Sequence, residues 1–329
     1  MSSRAGEVMA MNTMRNGSAV LMMVLALFAA LSLARAEDTA VEERAVDIMS
    51  DGVRMHGTLF YPKGATAPLP TIILSHGWGG TAAMLTSQAT EFAKAGYLAL
   101  AFDYRGWGES DSRVLLTSRA PSEQNDHRFT AEVKEVREVV DPLDQAADIF
   151  NAIHWAMGEP LVDRNRVGLW GTSFSGGLVV YVAARDARVK AIVSQVGYMG
   201  QPVSSMSAAA LAKNYDDATR RARGQIGYPA PRAKEIGNLS GAPVREKLLL
   251  YAPIEDVARA RNCAMLFIAA EHEELFDNRQ HPQLAYERAS EPKRYVVIPG
   301  IAHYGIYSTA REQATRTAIE WFDQYLKSR

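Results

Sequence analysis

The chain has 329 residues, 47% hydrophobic and 22% charged, with a formal charge of −1. Those values exclude disordered, collagen-like and coiled-coil proteins, and with no basic run they exclude the usual nucleic-acid-binding surface. The single cysteine, Cys263, excludes a disulfide framework or a four-cysteine metal site within one chain.

The chain opens on a segment that reads as an export leader. Ala19–Leu33 is a run of 15 residues without a charge, preceded by Arg4 and Arg15. Ala34-Arg35-Ala36 follows as a small-x-small cleavage pattern. A spanning helix needs ~20 apolar residues, so the run is short for a membrane anchor. Residues 1–36 are therefore expected to be a signal peptide, removed on export to a periplasm or the cell exterior. Residues 37–329 are expected to form one domain, with no stable membrane span once the leader is gone.

Beyond the leader, Val41–Tyr61 alternates apolar and polar residues around Asp51-Gly52, the pattern of a β-hairpin. Leu69–Ser75 is a continuous apolar run, as expected of a strand buried on both faces. It closes on His76-Gly77-Trp78-Gly79-Gly80. A helix is predicted over Thr86–Ala95 and a buried strand over Tyr97–Phe102. Helical spacing returns over Gln145–Met157. Arg166–Trp170 reads as a strand, Gly176–Ala184 as a small apolar helix, and Val189–Val196 as the next strand. Cys263–Ala270 and Arg294–Pro299 are further strands, and Thr309–Leu326 is a closing amphipathic helix. Strands separated by helices predict a mostly parallel sheet with helices on both faces.

Two stretches interrupt this rhythm. Ser110–Asp144 is polar and charged and reads as a small insertion. Met199–Asp256 holds weak helical segments and five prolines. Long connections in compact domains usually carry function. The second stretch, 199–256, is expected to be a lid or cap between the sixth and seventh strands. It is too short, and too poor in large apolar residues before Leu248, for an independent domain.

The chemistry concentrates at Gly171-Thr172-Ser173-Phe174-Ser175-Gly176-Gly177, where a strand passes directly into a helix. A serine in so sharp a turn presents its hydroxyl, and small neighbours let strand and helix approach closely. The last position of the motif is Ser175 rather than glycine, which still meets the size requirement. Amides at the helix start point at the same place and suit a developing oxyanion. The backbone N–H groups of Trp78 and Phe174 are the candidate donors. His76 is read as a brace for its loop.

A serine nucleophile needs a base, and the base an orienting acid. His303 follows the last strand, in the order serine, acid, histidine. The acid is sought after the preceding strand, where Glu271, Glu273, Glu274 and Asp277 all remain open.

These motifs resemble the α/β-hydrolase superfamily, its dienelactone-hydrolase-like and prolyl-peptidase-like branches about equally. The resemblance runs from about Val53 to Leu326 and includes Asp103-Tyr104-Arg105-Gly106-Trp107-Gly108-Glu109-Ser110. It implies an α/β-hydrolase fold and gives that loop an architectural role. In the family a small residue and two others precede the acid; with Ala270 in the small position, the resemblance assigns the acid to Glu273, where Asp is usual. Ser173, His303 and Glu273 are then expected to form a triad acting through an acyl-enzyme. The resemblance does not fix the leaving group, and a small-molecule carboxylic ester is the expected substrate because ester cleavage asks least of the leaving-group acid. A small or proline-containing peptide is the alternative substrate, and a non-catalytic binding protein the least favoured reading. No metal or cofactor is expected: His272, His281 and the nearby glutamates lack an H-E-x-x-H spacing, and neither phosphate-binding glycine motif follows a strand. Cys263 is expected to be a small core residue.

Overall fold

The computed structural model describes residues 40–122 and 126–327. The leader assigned to residues 1–36 lies outside the described residues. Strands β1 (Val41–Ser50) and β2 (Val53–Pro62) form the predicted hairpin. Its two-residue turn, Asp51-Gly52, has φ of 48° and 85°. Two successive positive φ values define the tight turn that matches strand twist, and Asp-Gly tolerates it.

The hairpin joins an eight-stranded sheet of order β1-β2-β4-β3-β7-β8-β9-β10. Its other members are β3 (Leu69–Ser75), β4 (Leu98–Phe102), β7 (Val162–Thr172), β8 (Val189–Gln195), β9 (Ala264–His272) and β10 (Lys293–Ala302). β2 runs antiparallel to β1 and β4, and the remaining pairs are parallel.

Helices cover both faces, and alternation along each strand divides the core in two. On one face α2 (Pro142–Ala156), α3 (Phe174–Ala183) and α7 (Pro282–Arg288) meet Ile73, Leu169, Ile192 and Met265. On the other, α1 (Thr86–Lys94) and α8 (Arg311–Phe322) meet Ile72, Leu74, Trp170 and Leu266. Neighbouring residues of one strand thus serve opposite cores, which explains the continuous apolar runs. This is the expected α/β-hydrolase architecture.

Helix α2 starts three residues before the predicted Gln145. Asp141 caps it, accepting from the Leu143 and Asp144 amides at 3.0 and 3.1 Å, and Pro142 occupies the first turn. The stretch after Ser110 contains β5 (Arg113–Leu116) and β6 (Val133–Val136), which pair as a separate antiparallel ribbon. Residues 199–256 lie between β8 and β9, the sixth and seventh strands of the large sheet. They include α4 (Ala208–Ala222), α5 (Arg245–Leu248) and α6 (Pro253–Asp256). The two insertions are stitched together: the Val140 amide donates to the Ala242 carbonyl at 3.0 Å, and Val244 returns a bond to the Val140 carbonyl at 2.9 Å. No helix among the described residues is long and apolar enough to cross a membrane.

The loop after β4 explains its motif. Asp103 accepts from the Ala82 amide at 2.6 Å and the Glu109 amide at 3.1 Å. Gly108 rests against that carboxylate, leaving no room for a Cβ. Arg105 reaches the fully buried Asp148 of α2 through Nε at 2.7 Å, and Ser50 and Asp51 of the hairpin turn at 2.7 and 3.0 Å. The guanidinium thereby pins the hairpin to α2. Burial holds the Asp148 carboxyl above its ordinary range, with Arg105 opposing.

Candidate active site

Ser173 sits between β7 and α3 with φ 56° and ψ −121°. A non-glycine residue there is strained by roughly 1–3 kcal/mol, and the surroundings must hold it. Its amide donates to the Gln195 carbonyl at 2.8 Å, and its carbonyl accepts from Gly176 at 2.9 Å and Tyr198 at 3.1 Å. A Cβ on Gly171 would strike the Ser175 carbonyl. Ser175 is fully buried and bonds the hydroxyls of Ser75 and Tyr104. The serine in the last motif position therefore joins a polar contact beneath the turn that glycine could not make.

His303 begins the short 3-10 turn His303–Tyr307 after β10. Its Nε2 lies 3.1 Å from Ser173 Oγ. Its Nδ1 lies 2.9 and 2.8 Å from the two carboxylate oxygens of Glu273, just past the end of β9. Both side chains are 1% exposed. The acceptor on Nδ1 selects the tautomer with its hydrogen there, which leaves Nε2 bare to take the serine proton.

The other acidic residues have different partners. Glu274 accepts from the His303 amide at 2.5 Å, and Glu271 from the Gly300 amide at 2.7 Å. Asp277 pairs with Arg279 at 2.8 Å. Glu273 is thus the carboxylate brought to the imidazole.

The loop after β3 abuts Ser173. A Cβ on Gly77 would come within 2.8 Å of Ser173 Cβ, so only glycine permits the approach. Trp78, one of the two predicted oxyanion donors, is the next residue in this loop. Phe174 opens α3, where an amide has no acceptor within the helix. The Trp78 indole packs on Phe174 at 5.1 Å and donates to the Gly241 carbonyl at 2.8 Å. His76 Nδ1 lies 3.0 Å from the Gly77 carbonyl. Its Nε2 is buried without a partner, and burial holds the ring below the ordinary histidine pKa.

Ser173 and His303 open into a cavity of about 530 Å³, walled by Trp78, Met84, Leu85, Leu239, Tyr304 and Tyr307. Leu239 is the one residue of 199–256 among its lining. No group of His, Cys, Asp and Glu among the described residues is arranged to hold a metal ion. Cys263 is buried and its thiol is pushed up to about 12 by desolvation, so it carries no thiolate at neutral pH.

Comparison with known proteins agrees with this fold. A model of the X-Pro dipeptidyl-peptidase family matches residues 51–214. A model of the prolyl oligopeptidase family matches residues 142–329, more than half of the chain. The chain belongs to the prolyl oligopeptidase family, within the α/β-hydrolase superfamily. This family member is 29% identical over 313 residues to an uncharacterized 31.7 kDa protein in the traX-finO intergenic region of Escherichia coli, covering 84% of this chain and 98% of that one. It is 34% identical over 163 residues to the quorum-quenching protein AidA of Acinetobacter baumannii, covering 49% and 46% of the two chains. Its fold resembles the α/β hydrolase GrgF from a Penicillium species, with a TM-score of 0.68 at 21% identity over 87% of this chain and 99% of that one.

Within this α/β hydrolase, three polar residues near the site were not singled out from sequence. Tyr307, Thr172 and Gln195 form a hydrogen-bonded chain next to Ser173. The one local signal was Tyr307 lying four residues after His303, a spacing that a helical turn brings together.

Proposed function

We propose that this protein is a serine hydrolase that cleaves carboxylic esters of small molecules through an acyl-enzyme. Ser173 Oγ attacks the carbonyl carbon as His303 Nε2 takes its proton. Glu273 holds the imidazole and stabilises its charged form. The Trp78 and Phe174 amides bind the oxyanion. His303 then protonates the leaving oxygen, and water repeats the sequence to release the acid. The observation that carries this reading is the Ser173–His303–Glu273 alignment at the floor of a largely apolar cavity.

An ester asks less of the acid His303 than an amide does, because an alkoxide departs with less help than an amine anion. The prolyl oligopeptidase match favours peptides as the second reading. Against it, the described residues lining the cavity include no carboxylate to pair with the free ammonium group of a short peptide. Turnover of short-chain nitrophenyl esters against aminoacyl-naphthylamides separates the two. Ser173→Ala is expected to lower esterase turnover roughly ten-thousand-fold or more and to abolish labelling by a fluorophosphonate probe. Full activity in that variant would sink the assignment, and an unlabelled parent would favour a binding protein.

Export completes the proposal. Support comes from the uncharged run Ala19–Leu33, its flanking arginines and the Ala34-Arg35-Ala36 pattern. Intact mass of the protein recovered from the periplasm or medium is expected to begin at Glu37. A full-length mass confined to the cytoplasm would refute this.

A further inference from the structure

We propose that a second cavity, bounded by Tyr198 and Phe276, binds a small neutral molecule that carries an aromatic ring and a carbonyl oxygen. The cavity measures about 540 Å³, and no described residue lines both it and the catalytic cavity. That volume lies in the range of small-molecule sites. The rings of Tyr198 and Phe276 and the side chains of Ile254, Leu275 and Leu284 supply an apolar wall. The same two rings separate the cavity from the proposed catalytic groups. Phe276 meets the His303 ring edge-on at 5.8 Å, and Tyr198 stacks on Phe174 at 6.2 Å. Main-chain bonds hold this wall in place. The Tyr198 amide donates to the Ser173 carbonyl at 3.1 Å. The Ile254 amide donates to the Met199 carbonyl at 3.1 Å, which ties together the two ends of residues 199–256.

Two polar hydrogens on the wall are uncommitted. His281 lines the cavity and is 9% exposed. Its Nδ1 accepts from the Met199 amide at 3.1 Å, so the neutral ring carries its hydrogen on Nε2. Burial pushes its pKa down to about 4, so the ring is neutral at pH 7. Nε2 has no hydrogen-bond partner among the described residues, and the Tyr198 hydroxyl has none either. Burial pushes the Tyr198 phenol above its ordinary range, so it keeps its hydrogen. The two rings lie 4.6 Å apart. Two donors on adjacent rings suit an oxygen with two lone pairs, which a carbonyl has.

The charges on the lining favour a neutral ligand. Asp277 is paired with Arg279 at 2.8 Å. Glu255 and Arg288, the other charged residues of the lining, offset each other. An ionic group therefore gains no net attraction. A planar ring makes offset or edge-on contacts with Tyr198 and Phe276 that an aliphatic chain does not, and it loses less freedom when held.

An NMR titration of the full chain with acetophenone tests this. Ethylbenzene, which lacks the oxygen, is the matched control. Acetophenone is expected to bind with a dissociation constant of about 1 mM and about fivefold more tightly than ethylbenzene. Tyr198→Phe removes one donor and should weaken acetophenone about threefold while leaving ethylbenzene unchanged. Leu284→Trp fills the cavity and should abolish binding of both. Met84→Trp, which narrows the catalytic cavity instead, should change neither. Because a bulky side chain can disturb folding, the decision rests on Tyr198→Phe, which only removes an oxygen. No binding to the parent, equal affinity for the two compounds, or unchanged acetophenone affinity in Tyr198→Phe would each overturn the proposal. So would loss of binding in Met84→Trp, which would place the ligand beside Ser173.

Discussion

Glu273 and Glu274 are adjacent, identical in charge, and both bound to His303, yet the consequences differ. Glu273 meets Nδ1 and fixes which nitrogen faces the serine. Glu274 meets only the backbone amide. A glutamine at 274 can still accept that bond through its amide oxygen. A glutamine at 273 can turn its NH2 to the ring and favour the wrong tautomer. Glu273→Gln is therefore expected to lower kcat by roughly 10²–10⁴-fold, and Glu274→Gln by less than about threefold. Steady-state rates on one nitrophenyl ester check both, and the reverse ranking would make Glu274 the orienting acid. At this scale the serine and histidine were legible, because turn chemistry and chain order mark them. From the residues themselves the acid was legible only as a cluster, and it was the family resemblance that pointed to Glu273, since spacing after a strand limits reach without saying which carboxylate turns inward.

At the scale of elements, strands and main helices follow from apolar runs and punctuation. The loops joining them hold groups whose roles depend on packing. His281 precedes α7 with its ring against Tyr198 at 4.6 Å and Phe276 at 4.9 Å. Its Nδ1 accepts from the Met199 amide at 3.1 Å, which only the neutral ring can do. Burial pushes its pKa down to about 4, with Asp277 opposing. The unfolded chain therefore binds more protons than the folded one between about pH 4 and ~6.5. The contribution of this histidine is fully present above that window and is lost as pH falls through it. Its size over the whole window is on the order of 3 kcal/mol. Urea midpoints at pH 7.5 and 4.5 should differ more in the parent than in His281→Gln, whose amide oxygen can accept the same bond without titrating. An equal loss in both would assign the effect elsewhere. The ribbon β5–β6 shows the opposite limit of legibility: short half-exposed strands in a charged stretch carry too little periodicity to stand out.

For the molecule as a whole, the sheet brings together residues far apart in the chain. His303 lies 130 positions from Ser173, and Trp78 approaches through the loop that ends a different strand. Fold class, the order of serine, acid and histidine, and the tight turns were determined by sequence alone. Each rests on local rules, since apolar periodicity sets the strands and small residues permit the turn at Ser173. Tertiary structure alone decided how Glu273, already implied by the resemblance, meets the imidazole, that Leu239 is what residues 199–256 bring to the cavity, and that Gln195, Thr172 and Tyr307 form one hydrogen-bonded chain. Those relations depend on strand register and loop packing, in which each side chain takes its orientation from neighbours distant in sequence, and no local pattern encodes that.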